Sequence, residues 1–285
     1  MEFFATCKGI PIHISDSKKG DTTLFLLHGY LETLYVWDDF AIPMLPKLRI
    51  ISIDLPGHGL SGSHKENNSI EFCADVAKEV LDLCKVDKAC IMGHSMGGYI
   101  AIEAVKRFPE RFTSLILMHS GPLADSDEKR ADRDREIALI HKSKLQTIVK
   151  MGIPKMFAPE NLRRMDEKIR EIIELAETHD PEGIVASLEG LKTRPDNLEF
   201  LKSYTSPILI FFGNNDYHIP LEKANLLAEL LPQAEKQFME HSGHNSFIEE
   251  TELVQKRVLE FLNIDQTNSE LSFCCKNNEG LQRLR

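Results

Sequence analysis

Residues 89–98 read Ala-Cys-Ile-Met-Gly-His-Ser-Met-Gly-Gly, and this stretch decides the fold of the chain. The pattern G-x-S-x-G, at 93–97, comes directly after a short apolar run and directly before a helical pattern. In that context the serine occupies a strained strand-to-helix turn, and glycine is needed on both sides because side chains would collide across it. The N-terminus of the helix offers N–H groups to a developing oxyanion. The stretch therefore predicts a nucleophilic serine at Ser95.

Short apolar runs and helical patterns alternate on both sides of this stretch. Two helical patterns lie at 70–84 and 96–108, and two β-rich runs at the N-terminus read as a hairpin around Lys8-Gly9. Continuous rather than alternating hydrophobicity indicates strands that are covered on both faces. The repeated strand-then-helix order predicts an α/β fold with a doubly wound, mostly parallel sheet. The apolar runs lie at 23–27, 49–53, 89–92, 114–118 and 207–212.

The pattern changes after residue 121. Residues 122–205 read as charged amphipathic helices without convincing strands, and one apolar stripe runs from Ile137 through Ile140, Leu145 and Ile148 to Met151. The β pattern then resumes at 207–212, and helices are predicted at 221–230 and 248–261. We interpret residues 1–121 and 206–262 as the α/β core, 122–205 as a helical cap inserted above the sheet, and 263–285 as a loose polar tail.

A serine nucleophile of this kind needs a base and an acid that orients the base, in the chain order Ser, acid, His. Asp216 follows the strand pattern at 207–212 in a turn of Asn and Gly residues, and Asp125 is the rival acid. His244 follows Gly243, which frees its loop to aim the ring inward, and His241 is the rival base. We expect Ser95, Asp216 and His244 to form the catalytic set.

Stabilising the oxyanion of acyl transfer requires two N–H donors. Met96 follows the serine and supplies the first backbone N–H. The segment His28-Gly29-Tyr30 ends the run at 23–27, and a loop at this strand end can supply the N–H of Tyr30 as the second. An ordinary turn, with His28 packing structurally, is the alternative interpretation. We expect Tyr30 and Met96 to form the oxyanion hole.

The composition excludes several other functions. The net charge of −10, from 34 basic and 44 acidic residues, disfavours nucleic acid as a partner. A second glycine pattern, G-x-G-x-x-G at 57–62, continues into a polar loop rather than a helix, so we expect no dinucleotide cofactor. His241 and His244 lack a third ligand at a suitable spacing, so no metal site is expected. The six cysteines form no CxxC pair, and Cys274-Cys275 read as two free thiols on the tail.

The N-terminus shows no basic-then-apolar signal layout, and no apolar run reaches the length of a membrane span. A cytoplasmic enzyme is therefore the expectation. Nothing in the sequence indicates the oligomeric state.

Several motifs together resemble the α/β-hydrolase superfamily over residues 3–262. The resemblance implies an eight-stranded, mostly parallel sheet with helices on both faces and a helical cap after the sixth strand. A serine in the turn resembles the esterase, perhydrolase and carbon–carbon hydrolase branches, whereas haloalkane dehalogenases and soluble epoxide hydrolases carry aspartate there. The motifs are HGY at 28–30, DLPGHGLS at 54–61, GHSMGG at 93–98, Asp216 and Gly243-His244.

In the family that the chain resembles, an HG-x loop goes with esters of less bulky alcohols. Branches of that family that act on acidic metabolites often carry a basic residue near the turn, where this chain has Tyr99. The first expectation is hydrolysis of small to medium apolar carboxylic esters through an acyl-enzyme. Other acyl chemistry on the same residues (thioester, lactone, carbon–carbon or transfer) is the second, and a non-catalytic ligand-binding protein on this fold is the third. The candidate substrate-binding residues are Leu31, Trp37, Met156 and Phe157, although the two cap residues can equally form the cap's own core.

Overall fold

The computed structural model describes residues 1–64 and 67–264, and its centre is one eight-stranded sheet. The order across the sheet is β1-β2-β4-β3-β5-β6-β7-β8. The pairs β1–β2 and β2–β4 are antiparallel, and every later pair is parallel. In chain order the strands are β1 (Glu2–Cys7), β2 (Ile10–Asp16), β3 (Thr23–Leu27), β4 (Arg49–Ile53), β5 (Ala89–His94), β6 (Phe112–Met118), β7 (Ile208–Gly213) and β8 (Glu235–Met239).

The helices flank the sheet and fill the long connection between β6 and β7. Within the described ranges they are α1 (Asp38–Ala41), α2 (Ile70–Leu83), α3 (Met96–Arg107), α4 (Asp127–Ile140), α5 (Leu145–Gly152), α6 (Asp166–Ala176), α7 (Pro181–Lys192), α8 (Leu198–Ser203), α9 (Leu221–Leu230), α10 (Ser246–Glu249) and α11 (Thr251–Phe261). Short 3₁₀ turns link several of them. No helix in the described part of the chain is long and apolar enough to cross a membrane.

Successive residues of the central strands pack into opposite layers. Phe25 and Leu27 belong to the layer with α2, α3 and α9, whereas Leu24 and Leu26 belong to the layer with α1 and α11. All four side chains are fully buried. Side chains alternate across a strand, so a strand that is apolar at every position can only be stable with both faces covered.

The fold class expected from the sequence is confirmed. Both central helices begin where expected, and α2 starts with its Ser69 side chain accepting the N–H of Phe72, as a good N-cap does. The stripe predicted from Ile137 to Met151 is wrong as a single element. The chain turns between α4 and α5, with Ser143 at φ +57°, and Met151 is exposed. Periodicity alone missed the break because the four residues between the helices span close to one helical turn, so the apolar spacing continues across it.

The helices α4 to α8 lie between the sixth and seventh strands, where the resemblance places a cap. The last of them packs on the core, because Leu201 is buried in the same layer as α2 and α3. The four described cysteines are free and buried, and burial raises the pKa of the Cys90 thiol to about 12. The predicted tail from 265 onward, with Cys274-Cys275, lies outside the described residues.

Candidate active site

Ser95 occupies the turn between β5 and α3, with φ +48° and ψ −110°. A β-carbon on Gly93 would lie 2.2 Å from the carbonyl oxygen of Gly97, and one on Gly97 would lie 2.2 Å from that of Leu27. The turn therefore closes only with glycine at both positions. A serine in this sparsely populated backbone region is strained, and the surrounding structure holds it there: its N–H donates to Met118 O and its carbonyl accepts from Ser120 Oγ.

His244 and Asp216 form a short buried pair beside this turn. The Nδ1 atom of His244 lies 2.7 Å from Asp216 Oδ2, and both residues are about 95% buried or more. Because a carboxylate only accepts, Nδ1 carries the proton and Nε2 is the free base nitrogen. Within the described residues, neither His244 Nε2 nor the Ser95 hydroxyl makes a hydrogen bond to any group. The Nε2 atom is thus available for proton transfer. Hydrogen bonds between a serine and its base are often long until a substrate binds.

Four donors surround the carboxylate of Asp216. His244 and His119 approach Oδ2, while the backbone N–H groups of His218 and Ile219 donate to Oδ1 at 2.7 and 2.9 Å. Burial by itself would raise the pKa of Asp216, but the two histidines outweigh it and hold the pKa well below its usual range. The carboxylate is therefore ionised throughout the neutral range.

The two rival residues have other partners. Asp125 binds Arg133 and Arg194, and the three side chains form a buried cluster at the start of the inserted helices. His241 is exposed and pairs with Glu160 at 3.1 Å. Neither residue contributes to the pair beside Ser95. The sequence favoured Asp216 and His244 but left these two residues as rivals, because the local patterns do not show which of the loop side chains come into contact.

A buried carboxylate shapes the loop that carries Tyr30. Glu32 Oε2 accepts the N–H of Gly29 at 2.7 Å and lies 2.8 Å from His94 Nδ1. The other nitrogen of His94 lies 2.9 Å from the carbonyl oxygen of His244. Burial opposes the charge of Glu32, but His94 outweighs this effect and lowers the pKa of the carboxyl. The contacts of Glu32 and His94 thus join the Tyr30 loop, the serine turn and the base loop.

The two expected oxyanion donors are placed at this junction. Met96 is the first residue of α3, and a first-turn N–H has no acceptor within its own helix. The N–H of Tyr30 donates to no group in the described chain, while its hydroxyl donates to Glu136 of α4 at 2.7 Å. Both N–H groups are therefore free for a ligand, and the Tyr30 side chain connects this loop to the inserted helices.

The candidate substrate-binding residues fall into two groups. Met156 and Phe157 lie against the base loop, where the carbonyl of Met156 accepts the N–H of His244 at 2.7 Å. Leu31 is 4% exposed and lines a small cleft that also borders Ile172 of α6. Trp37 is 1% exposed, and its ring centroid lies 4.3 Å from that of Phe247. Trp37 therefore packs beneath the serine turn, with no open surface toward a substrate.

Glu249 holds the inserted helices on the base loop. Its carboxylate is buried and accepts the N–H groups of Ala158 and Gly243, both at 2.8 Å, as well as the side-chain amide of Asn161 at 2.7 Å. One acid therefore contacts both the loop that carries His244 and the segment that follows Met156. The position of the base depends on how the insertion docks.

Two arginines of the insertion lie close to the serine-bearing helix α3. The guanidinium of Arg194 stacks on the ring of Tyr99, 4.1 Å from its centroid, and Arg133 shares Asp125 with it. The sequence argument that Tyr99 replaces a basic residue near the turn is therefore incomplete, because the fold brings two cations to this helix from positions 34 and 95 residues after Tyr99. The pairing with Asp125 offsets one of the two positive charges.

Another buried histidine–aspartate pair lies beside the G-x-G-x-x-G loop at 57–62. His13 Nδ1 is 2.8 Å from Asp54 Oδ2, and both side chains are buried. A serine is also present: Ser61 Oγ accepts the N–H of His13 and donates to the carbonyl of Asp54. The other ring nitrogen of His13 faces Glu2 at 3.5 Å.

Three of the active-site groups also resemble a metal-binding set. Candidate ligand atoms of His119, Asp216 and His244 lie within 4.8 Å of one another. The hydrogen bonds of 2.7 and 3.2 Å between them already use the facing lone pairs and protons. The group is satisfied as a hydrogen-bond network, so its residues do not present a preformed ligand set.

Sequence reasoning missed His119, Glu32, His94 and Glu249. For His119 a signal was present: it follows the run at 114–118 directly, and polar residues at strand ends are what led to Asp216. The other three gave no signal, because their partners lie between 3 and 150 positions away and no spacing rule links them.

Comparisons with known proteins agree with this architecture. The family described as alpha/beta hydrolase fold matches residues 22–251. A 2-hydroxy-6-oxononadienedioate/2-hydroxy-6-oxononatrienedioate hydrolase of Paraburkholderia phymatum is 28% identical, over 88% of this chain and 90% of the relative. A pimeloyl-[acyl-carrier protein] methyl ester esterase of Nitrosomonas europaea is 28% identical, over 83% and 94%. The solved structure of a thermophilic esterase from Thermogutta terrifontis superposes with TM-score 0.86 and 25% identity, over 92% and 98%.

The chain belongs to the α/β-hydrolase fold family, since the family match covers most of its length. It is accordingly a hydrolase.

Proposed function

We propose that this chain hydrolyses carboxylic esters of small to medium apolar acyl groups through a covalent acyl-enzyme on Ser95. The observation that carries the proposal is the 2.7 Å contact between His244 Nδ1 and Asp216 Oδ2, which leaves Nε2 free. The ring of His94, the residue before Ser95 in the strained turn, contacts the carbonyl of His244 and so joins the two loops. The relatives named as a methyl ester esterase and as an esterase support the ester bond as the target.

The reaction would follow the order of the serine triad. Ser95 Oγ attacks the acyl carbon while His244 Nε2 takes its proton, and Asp216 fixes the tautomer and stabilises the imidazolium. The N–H groups of Tyr30 and Met96 stabilise the oxyanion of the tetrahedral intermediate. His244 then protonates the leaving alcohol, and water repeats the sequence to release the acid.

Residues 122–205 would act as a cap that covers the site, with residues 1–121 and 206–262 as the catalytic core. The contacts that support this division are those of Met156 and Glu249 with the base loop, and of Tyr30 with Glu136. Met156 and Phe157 would then border the acyl group, and Leu31 would border its far end. The substrate would be a small molecule that fits beneath the cap.

Cleavage of a carbon–carbon bond is the second candidate. It is supported by the Paraburkholderia relative, whose name describes a dioate substrate, and by the cations of Arg133 and Arg194 beside α3. A substrate with a remote carboxylate would need one of these arginines to exchange Asp125 for the ligand.

The test is hydrolysis of p-nitrophenyl esters from acetyl to dodecanoyl by the parent protein and by Ser95→Ala. We expect turnover that peaks at one chain length, and a loss of kcat of about 10⁴-fold or more in the variant. Ser61→Ala is the matched control, because Ser61 lies beside the other histidine–aspartate pair, and the folded Ser61→Ala protein should keep the parent rate.

Labelling with a fluorophosphonate separates the remaining alternatives. Labelling of Ser95 without ester turnover, together with cleavage of a 2-hydroxy-6-oxo-dienedioate, would replace the ester proposal by the carbon–carbon one. A folded parent protein that takes up no label would indicate a ligand-binding protein instead.

A further inference from the structure

Asp216 holds two histidines where the proposed reaction uses one. His119 is fully buried at the end of β6, and its Nδ1 lies 3.2 Å from Asp216 Oδ2, the same oxygen that His244 contacts at 2.7 Å. The chain reaches this position with φ +48° at His119, a left-handed conformation that is uncommon for any residue with a side chain, although histidine adopts it more often than most. The hydrogen bonds on both ring nitrogens hold the ring where it is.

The neighbours of His119 determine which nitrogen carries its proton. Its Nε2 lies 2.7 Å from Ser246 Oγ and accepts the backbone N–H of Ser246 at 3.3 Å. A backbone N–H can only donate, so Nε2 has the lone pair and Nδ1 has the proton. Nδ1 therefore donates to Asp216. Burial lowers the pKa of His119 to about 4, against the opposing effect of Asp216, and the ring is neutral at pH 7.

We propose that His119 is a positioning residue that sets the basicity of His244 by sharing the Asp216 carboxylate. A hydrogen bond from His119 stabilises negative charge on Oδ2, so Asp216 stabilises the His244 imidazolium less strongly than an unshared carboxylate would. His244 then remains an unprotonated base to lower pH. The proposal rests on the proposed function only in taking Asp216–His244 as the working pair.

Other groups around His244 also affect its protonation, and substitution of His119 leaves those groups in place. The rings of His94, His119 and His218 lie 5.0, 5.4 and 4.9 Å from that of His244. Lys129 of α4 exerts a repulsive field on His218. In the described chain, the titratable and charged groups around this cluster include Asp216, Glu32, His94, His119, His218, Lys129 and Glu249, which accepts the N–H of Gly243.

Two amide substitutions separate the two contacts of His119. In His119→Asn the side-chain amide reaches the position of Nδ1, so it can still donate to Asp216, and asparagine tolerates the left-handed backbone. In His119→Gln the amide reaches the position of Nε2, so it can contact Ser246 but not Asp216. Both variants remove the imidazole, so a change from the parent that occurs in His119→Gln and not in His119→Asn reports the loss of the bond to Asp216.

The primary readout is the pH dependence of kcat/KM with the best ester of the series. We expect the acid limb of His119→Gln to move to higher pH by about 0.5 unit or more, while that of His119→Asn stays close to the parent. A purely structural role would lower the rate at all pH values and leave the midpoint of the limb unchanged in both variants. That result would overturn the proposal.

A second readout needs no substrate and no activity. NMR titration of the His244 ring, in the Ser95→Ala background, gives its protonation midpoint directly in the parent, His119→Asn and His119→Gln forms. An upward shift confined to His119→Gln would support the role of His119 even if no ester is turned over. Equal midpoints in all three would overturn it, whatever the substrate proves to be.

Discussion

Two of the buried histidine–aspartate contacts in the described chain have nearly the same geometry, and they differ in what the second ring nitrogen faces. His244–Asp216 and His13–Asp54 have Nδ1 to Oδ2 distances of 2.7 and 2.8 Å. The Nε2 atom of His244 makes no hydrogen bond within the described residues, whereas that of His13 faces Glu2 across the hairpin. The first nitrogen is available for a reaction, and the second is directed at a carboxylate.

The carboxylates and serines of the two pairs differ in the same way. Asp54 accepts the backbone N–H groups of Leu34 and Leu60, at 2.8 and 2.9 Å, and so fixes two loops. Ser61 uses its hydroxyl as both donor and acceptor to backbone groups. Ser95 instead lies in a strained turn, and its hydroxyl makes no hydrogen bond within the described residues. Under the proposed function, the difference between the pairs is that the reactive one leaves both the far nitrogen and a nucleophile unsatisfied.

The largest expected effect is on kcat, and it distinguishes the His244–Asp216 pair from the His13–Asp54 pair. Asp216→Asn presents an amide in place of the acceptor and favours the wrong tautomer of His244, so kcat should fall by about 10⁴-fold while the circular dichroism spectrum is retained. The measurement is kcat on the best p-nitrophenyl ester. If Asp125→Asn were instead the damaging change and Asp216→Asn were mild, the acid assignment would be wrong.

The matching substitution in the other pair should act on stability. Asp54→Asn weakens bonds to His13, Leu34 and Leu60 in a buried site, and we expect the free energy of unfolding to fall by about 3 kcal/mol. Urea unfolding measures the loss. The folded fraction should keep kcat within about fivefold of the parent, and a rate loss as large as that of Asp216→Asn would show that the pairs are not functionally distinct.

A smaller effect comes from buried histidines that have no carboxylate. His179, in the loop before α7, accepts the N–H of Gly59 through Nδ1, and burial lowers its pKa to about 4 from 6.5. The unfolded chain therefore binds the extra proton between pH 6.5 and 4. The contribution to stability is complete above that window and is lost as the pH falls through it, amounting to about 2 kcal/mol between pH 7 and 5.

His179→Asn keeps an acceptor for Gly59 and removes the titration. Its free energy of unfolding should consequently fall less steeply with acid than that of the parent, by the same 2 kcal/mol over pH 7 to 5. Parallel stability curves for the two proteins would mean that folding leaves the pKa of His179 unchanged, and they would contradict the prediction.

Local sequence was sufficient for the fold and for much of the candidate site. The positions of the continuous apolar runs predicted the central strands to within about two residues, because strands covered on both faces must be apolar throughout. The glycines around Ser95 predicted the turn, since its closure is a short-range steric requirement. The positions of Asp216 and His244 after successive strand ends placed them at one edge of the sheet.

Only the tertiary structure decided which of those groups touch. The sequence favoured Asp216 but left Asp125 as a rival acid, and the fold pairs Asp125 with two arginines and Asp216 with two histidines. His119 meets Ser246 across 127 positions and Asp216 across 97, and no periodicity encodes such separations. Backbone conformation is set by neighbours along the chain, but the partner of a buried polar group is set by which strand ends and loops the packing brings together.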